Sequence, residues 1–343
     1  MVHARKGRGA LTNHSSRYRR EVREPFDDGW PVAEEPPPRT ELFVDSSRSV
    51  ISRNRSPDIP FDRSVNPYRG CEHGCVYCYA RPTHAWLGLS PGLDFETRLF
   101  YKPDAAEQLV RELAAPGYRA ATLVLGANTD PYQPVERRLG LTRRVLAVLA
   151  ECRHPVAITT KSSGVLRDLD LLAPMARQKL AAVQVSITTL DKALARRLET
   201  IRALAEAGVP VGVLVSPVIP GLTDQDLERV LAAAADAGAV RAGSLLLRLP
   251  LEVAELFQDW LRAHYPERAG RVLGLIRQCR DGRLNHARFG RRFTGTGPVA
   301  ELLQQRFALA AGRLGLRRQD AGWDLNAGAF RAPAPPGSQL ALF

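Results

Sequence analysis

Three cysteines stand close together in the stretch from Asn66 to Pro82, N-P-Y-R-G-C-E-H-G-C-V-Y-C-Y-A-R-P. Cys71, Cys75 and Cys78 form a C-x3-C-x2-C run, with Gly70 before it and Gly74 within it. Thiolates are soft ligands, and three of them so near in sequence point to a metal. A mononuclear zinc site needs a fourth protein ligand, which His73 or His84 can supply. A cluster of four irons held by three cysteines instead leaves one iron open to a ligand from solution. The residue types alone leave both chemistries standing.

Tyr77, the aromatic before the third cysteine, makes the run C-x3-C-x-aromatic-C. On that motif the chain resembles the radical S-adenosylmethionine (SAM) enzymes. The resemblance implies a [4Fe-4S] cluster on Cys71, Cys75 and Cys78, whose open iron chelates the amino and carboxyl groups of SAM, with Tyr77 near the adenine. It also implies that one electron breaks a sulfur–carbon bond and leaves a 5'-deoxyadenosyl radical, which abstracts hydrogen from a substrate. The block from Ile59 to Tyr79, with G-L-D-F-E-T at Gly92 to Thr97, is similar to the subfamily related to spore photoproduct lyase. That subfamily implies a lyase or repair role on DNA.

The elements that must position these cysteines are legible from about Phe61 onward. Short apolar runs at Arg63 to Pro67, Ala121 to Ala127, Val156 to Thr160, Ala182 to Ile187, Val209 to Val215 and Ser244 to Leu249 read as strands. Between them lie helical patterns such as Leu227, Val230, Leu231 and Ala234, spaced i, i+3, i+4 and i+7. This alternation predicts an α/β fold with a parallel sheet and right-handed crossovers. The family resemblance makes it a partial (β/α)6 TIM-type barrel. The expected division is a basic, proline-containing and largely irregular extension over 1–57, a core over 58–265, a helical and basic cap over 266–330, and a flexible tail over 331–343. Within the extension, D-D-G-W at Asp27 to Trp30 marks a part expected to be ordered.

Active sites of such barrels lie at the carboxyl ends of the strands, where polar residues follow the apolar runs here. The second strand opens into G-A-N-T-D-P-Y-Q-P-V-E, and there the resemblance implies a loop that hydrogen-bonds the SAM amino group; Asp130, Gln133 and Glu136 are its buried-polar candidates. Lys161, in T-T-K-S after the third strand, is implied to pair with the SAM carboxylate. Ser186 of the fourth is placed for a ribose or carboxylate contact, and Val218 and Ile219 of the fifth for packing the adenine. Two departures from the family stand out. Relatives carry an E-P-R segment after T-T-L-D, whereas Leu198 to Ile201 here run directly into R-A-L-A-E-A-G, a shortened fourth crossover. Photoproduct lyases quench the radical with a cysteine, and neither Cys152 nor Cys279 matches that context, so no catalytic hydrogen donor is assigned.

A formal charge of +12 and a pI near 10.0 indicate a polyanionic partner, and nucleic acid, DNA first, is the natural one. The charge clusters at Arg5 to Arg23, Arg48 to Arg55 and Arg280 to Arg318, with Asn285, His286 and Phe289 in the last as candidates for lining a nucleic-acid groove. No apolar run approaches the ~18 residues of a membrane span, and the first residues lack the apolar centre of a signal peptide. Few cysteines outside the motif fit a reducing compartment, and the expectation is a cytoplasmic enzyme with an external electron donor. The chain ends Q-L-A-L-F after a proline-rich linker, which resembles the peptide by which bacterial repair proteins bind the sliding clamp, with Gln339, Leu340, Leu342 and Phe343 matching. Two other functions compete: radical SAM modification of RNA or protein, and a non-catalytic DNA-associated iron–sulfur accessory protein.

Overall fold

A computed structural model describes residues 8–19, 39–188, 194–318 and 322–334. Trp30, residues 189–193 and the peptide from Gln339 to Phe343 lie outside the described residues. The strands are β1 (Glu41–Val44), β2 (Ile51–Arg53), β3 (Arg63–Val65), β4 (Tyr68–Arg69), β5 (Arg98–Tyr101), β6 (Leu123–Leu125), β7 (Val156–Thr160), β8 (Ala181–Ile187), β9 (Val211–Val218), β10 (Arg241–Leu246) and β11 (Arg317–Arg318). The main sheet has the order β11-β10-β9-β8-β7-β6-β3-β2, and a side sheet has the order β1-β5-β4. Within the main sheet β3 and β6 to β10 run parallel in sequence order, with β2 antiparallel at one edge. These six parallel strands are the (β/α)6 partial barrel, open between β2 and β11.

The strands are rich in β-branched residues, and all seven positions of β8 are buried, as expected of a parallel sheet covered on both sides. Alternation sorts them between two faces. Val183, Val185 and Ile187 pack outward into the main core with Leu227, Val230, Leu231 and Ala234 of the helix Leu227–Asp236. Gln184 and Ser186 therefore face the barrel interior.

A second core lies under the cysteine loop. Val76 and Leu93 pack there with Val253, Leu256, Phe257 and Leu261 of the helix Val253–His264 and with Val272, Leu273 and Ile276 of the helix Pro266–Gln278. These two helices thus pack against the cysteine loop. The sixth strand ends at Leu246 and not at Leu249, because Leu247 and Leu249 are apolar for this second core. Residues before 57 depart further from expectation. They contribute β1 and β2, and residues 8–19, although irregular, are packed against the cysteine loop. E-L-F-V is too short to read as a strand by itself; its partner β5 lies far along the chain, in parallel register.

Candidate metal centre

The carboxyl ends of the parallel strands share one rim, and the cysteine loop follows β4 at that rim. Cys71 is buried, and its N–H donates to Phe95 O at 2.9 Å. Gly74 N and Cys78 N close turns onto the carbonyls of Cys71 and Cys75, at 3.2 and 3.0 Å. With Val76 turned into the cap core, Cys75, Tyr77 and Cys78 remain partly exposed. All three cysteines are free thiols.

Lys161, one residue beyond β7, reaches into this loop. Its Nζ stands 3.0 Å from Cys75 Sγ and 3.2 Å from Tyr77 Oη. Burial by itself pushes the Cys75 thiol up, but the charges of Lys161 and His73 outweigh it and hold the group below its ordinary range. Cys71 goes the other way: burial raises it strongly, and the charges of Asp130 and the neighbouring cysteines add to that. The loop therefore offers one thiolate stabilised in advance and two that need a cation to ionise.

Asp130 is the hinge between Lys161 and the loop. Its Oδ1 accepts from Thr160 Oγ1 at 2.7 Å and Tyr132 N at 2.9 Å; its Oδ2 accepts from Lys161 N at 2.8 Å and lies 3.4 Å from His73 Nε2. Burial alone would raise this carboxyl, but His73 and these hydrogen bonds hold it below its ordinary value. Asp130 can stand here because β6 ends in Gly126 at φ +88°, where an added Cβ would come within 2.0 Å of Thr159 O. Both of its oxygens are already engaged, so the carboxylate orients Lys161 and His73. Gln133, fully buried, does the same for the loop backbone: its Oε1 accepts from Glu72 N at 3.0 Å, and its Nε2 donates to Gly70 O at 3.2 Å. Glu136 accepts from Tyr68 Oη, from Thr142 N at 3.0 Å and from Arg167 Nη2 at 2.7 Å, away from the cysteines.

The strongest support for the loop is a pair that sequence reasoning missed. Arg81 and Glu96 are ion-paired with no solvent exposure on either side chain. Arg81 Nε donates to Cys75 O at 2.8 Å, Nη2 to Gly74 O at 3.0 Å, and Nη1 to the carbonyls of Pro91 and Gly92 at 3.0 and 2.9 Å. With the bond to Glu96 all five guanidinium N–H groups are used. Arg81 lies in the quoted A-R-P and Glu96 in G-L-D-F-E-T, yet nothing in either string signals burial.

Ser186 is buried on the inner face of β8, next to the Thr160–Val185 register with β7, so it is one strand away from Lys161. Thr188, just beyond, hydrogen-bonds the Tyr77 side chain. Lys161 thus joins Tyr77, through its side chain, to Asp130, through its backbone, with Ser186 on the adjoining strand. Val218 and Ile219 are both buried, the latter in the cap core. Cys152 and Cys279 are buried among apolar side chains of the main core, apart from the site.

The donors present fit a cluster better than a single ion. Among the described residues no three His, Cys, Asp or Glu side chains form a single-metal site. His84 Nε2 is 2.9 Å from Arg98 O, and burial lowers this imidazole to about 4, while His73 is turned to Asp130. In a four-iron cluster each thiolate takes its own iron and need not converge with the others. Cys71, Cys75 and Cys78 would hold it.

Beside the centre the rim is basic and aromatic. Arg248 lies 5.0 Å from the Phe293 ring centroid, and Arg292 lies 4.8 Å from that of Phe289, which is 53% exposed. Asp58 pairs with Arg292. Arg280, expected along the same groove, is fully buried and donates to the carbonyls of Leu246, Leu247, Arg291 and Arg292, so it builds the rim and cannot meet a phosphate.

Known proteins match this architecture. The pattern of the Radical SAM superfamily matches residues 65–234. An uncharacterised protein of Mycobacterium tuberculosis is 39% identical over 233 residues, 64% of this chain and 68% of the relative. One from Methanocaldococcus jannaschii is 26% identical over 199 residues, 54% of this chain and 71% of the relative. Among solved structures, spore photoproduct lyase complexed with dinucleoside spore photoproduct aligns with a TM-score of 0.58 at 15% identity, covering 81% of each chain. A mutant of that lyase with bound AdoMet and dinucleoside spore photoproduct aligns with a TM-score of 0.57 at 16% identity, again over 81% of each. At such identity the likeness is one of fold.

Proposed function

We propose, for a chain that belongs to the radical SAM superfamily, a hydrogen-abstracting enzyme acting on nucleic acid, with DNA as the preferred substrate and a photoproduct-lyase-like repair role. The superfamily's cofactors are a [4Fe-4S] cluster and SAM, which supply a 5'-deoxyadenosyl radical when bound. The observation that carries the reading is the meeting of Lys161 with Cys75 and Tyr77 at the carboxyl rim. Cys71, Cys75 and Cys78 hold the cluster; Lys161 is the cation for the SAM carboxylate, with Asp130 fixing its backbone and Ser186 contributing from β8. Tyr77 faces the adenine. No residue is assigned as hydrogen donor.

Nucleic acid is favoured by the charge of +12 and by the rim, where Arg248 and exposed Phe289 offer phosphate and base contacts beside an Arg292 held by Asp58. The fold match to a lyase solved with a dinucleoside photoproduct points the same way. The C-terminal Q-L-A-L-F would deliver the enzyme to DNA through the sliding clamp, raising its local concentration there. No described helix is long and apolar enough to cross a membrane.

The test is 5'-deoxyadenosine release from anaerobically reconstituted, reduced protein given SAM, alone and with damaged DNA oligonucleotides, RNA or peptides. Release stimulated by damaged DNA supports the proposal. Stimulation by RNA or peptide alone moves the substrate, and no release from a cluster-loaded protein leaves an accessory role. Cys75→Ala should lose the visible absorbance and all release.

A further inference from the structure

Residues 8–19 lie as an arm along the outside of the cysteine loop. Gly9 N and Ala10 N donate to the two carboxylate oxygens of Glu96 at 3.0 and 2.8 Å, and Arg8 Nη1 donates to Glu96 O at 2.8 Å. Leu93 N donates to Thr12 O at 3.2 Å, and Asn13 exchanges two hydrogen bonds of 3.0 Å with Asp94. Ser16 Oγ, buried, donates to Ala85 O at 2.9 Å. Ala10 is itself buried in the core that holds Val76. A Cβ on Gly9 would fall 1.8 Å from Gly74 O, and one on Gly92 2.2 Å from Thr12 O, so at both places backbone rests on backbone.

We propose that this arm is part of the metal centre, and that Gly9, Ala10 and Glu96 are positioning residues for the cluster. The contacts form an unbroken series: the arm's N–H groups set the Glu96 carboxylate, Glu96 sets Arg81, and Arg81 holds the carbonyls of Gly74 and Cys75. A carboxylate accepting two backbone N–H groups and a guanidinium is held in one geometry. With the arm undocked, water reaches the pair, the pair loosens as a solvated one does, and Cys75 is no longer fixed. The arm also covers the Gly74 side of the loop. The inference rests on the family's [4Fe-4S] cofactor.

Full-length protein, anaerobically reconstituted, should be compared with Gly9→Val and Asn13→Ala by three measurements. These are the rate at which a ferrous-iron chelator bleaches the visible absorbance, the electron paramagnetic resonance spectrum of the reduced cluster, and thermal melting of the apoprotein. Gly9→Val should lose iron roughly tenfold faster or more, as expected when hydrogen bonds to a charged group are broken, with a shifted resonance spectrum. Asn13→Ala should lose it about threefold faster, on the order of one lost polar contact. Parent-like bleaching in both variants, or a lowered melting temperature with both cluster readouts unchanged, overturns the proposal. If Gly9→Val does not fold, Asn13→Ala, whose contacts are exposed, decides alone. A parent protein that takes up no iron overturns it together with the cofactor assignment.

Discussion

At the carboxyl rim Arg81 and Glu96 face each other without solvent, Asp130 faces His73, and Lys161 faces Cys75. At the amino rim His154 is equally buried but uncharged. Its Nδ1 lies 3.0 Å from Pro155 O, a carbonyl that can only accept, so Nδ1 carries the proton and Nε2 accepts from Tyr118 Oη at 2.9 Å. Phe330 packs its ring 5.3 Å from His154 and 5.5 Å from Tyr118, and burial lowers the imidazole to about 4. The segment that brings Phe330 there is stitched to the strand ends through Asn326 N to Lys179 O and Arg331 N to Cys152 O, both 2.8 Å. Both rims bury polar groups that need partners. At the carboxyl rim Arg81 is paired with Glu96, whereas at the amino rim a neutral His154 stands beside the paired Arg63 and Asp62.

The contrast can be broken most severely at Arg81. Arg81→Leu leaves Glu96 buried without its cation, and should cost roughly 3–5 kcal/mol in urea unfolding; a loss under a third of that would mean water already screens the pair.

The amino rim should respond to acid. Unfolded, His154 takes its proton near 6.5, and folded only near 4. Its contribution is thus unchanged above 6.5 and falls as pH drops from 6.5 towards 4, by roughly 3 kcal/mol. His154→Gln, which keeps a partner for Tyr118, should flatten that part of the stability–pH curve; an unaltered slope would refute the assignment.

Lys161→Ala sharpens the comparison, because it removes a charge without removing a cysteine. SAM affinity should weaken by ~1.5–3 kcal/mol, the worth of a charged hydrogen bond, with the cluster spectrum intact, as read by equilibrium binding. Affinity equal to the parent's would exclude a carboxylate contact.

The smallest effect on either rim is expected from deleting Gln339 to Phe343. Clamp binding, measured with purified clamp, should vanish while iron content and SAM cleavage stay at parent values. Loss of cluster in that variant would make the tail structural.

Periodicity determined the parallel α/β sheet, and the family resemblance its closing into a partial barrel, since parallel strands buried on both faces need unbroken apolar runs and their helices need a 3.6-residue stripe. Val156–Thr160 and Leu227–Asp236 could be read directly for that reason. The cysteine motif was equally legible, because its three thiols are close in sequence. What only the tertiary structure decided was which protein groups each polar residue meets. Asp130 and Gln133 are as polar in sequence as Lys161, but their hydrogen-bonding capacity is spent on Thr160, on the Lys161 backbone and on the loop at Glu72 and Gly70. Arg81 and Glu96 look like surface residues and are fully buried, because each finds its counter-charge 15 residues away. The arm from Arg8 to Ser16 has no periodicity to read, since its order comes from contacts about 70 to 90 residues distant and not from its own side chains. Local preference is written in neighbouring residues; compensation of a buried charge depends on whatever the fold brings beside it.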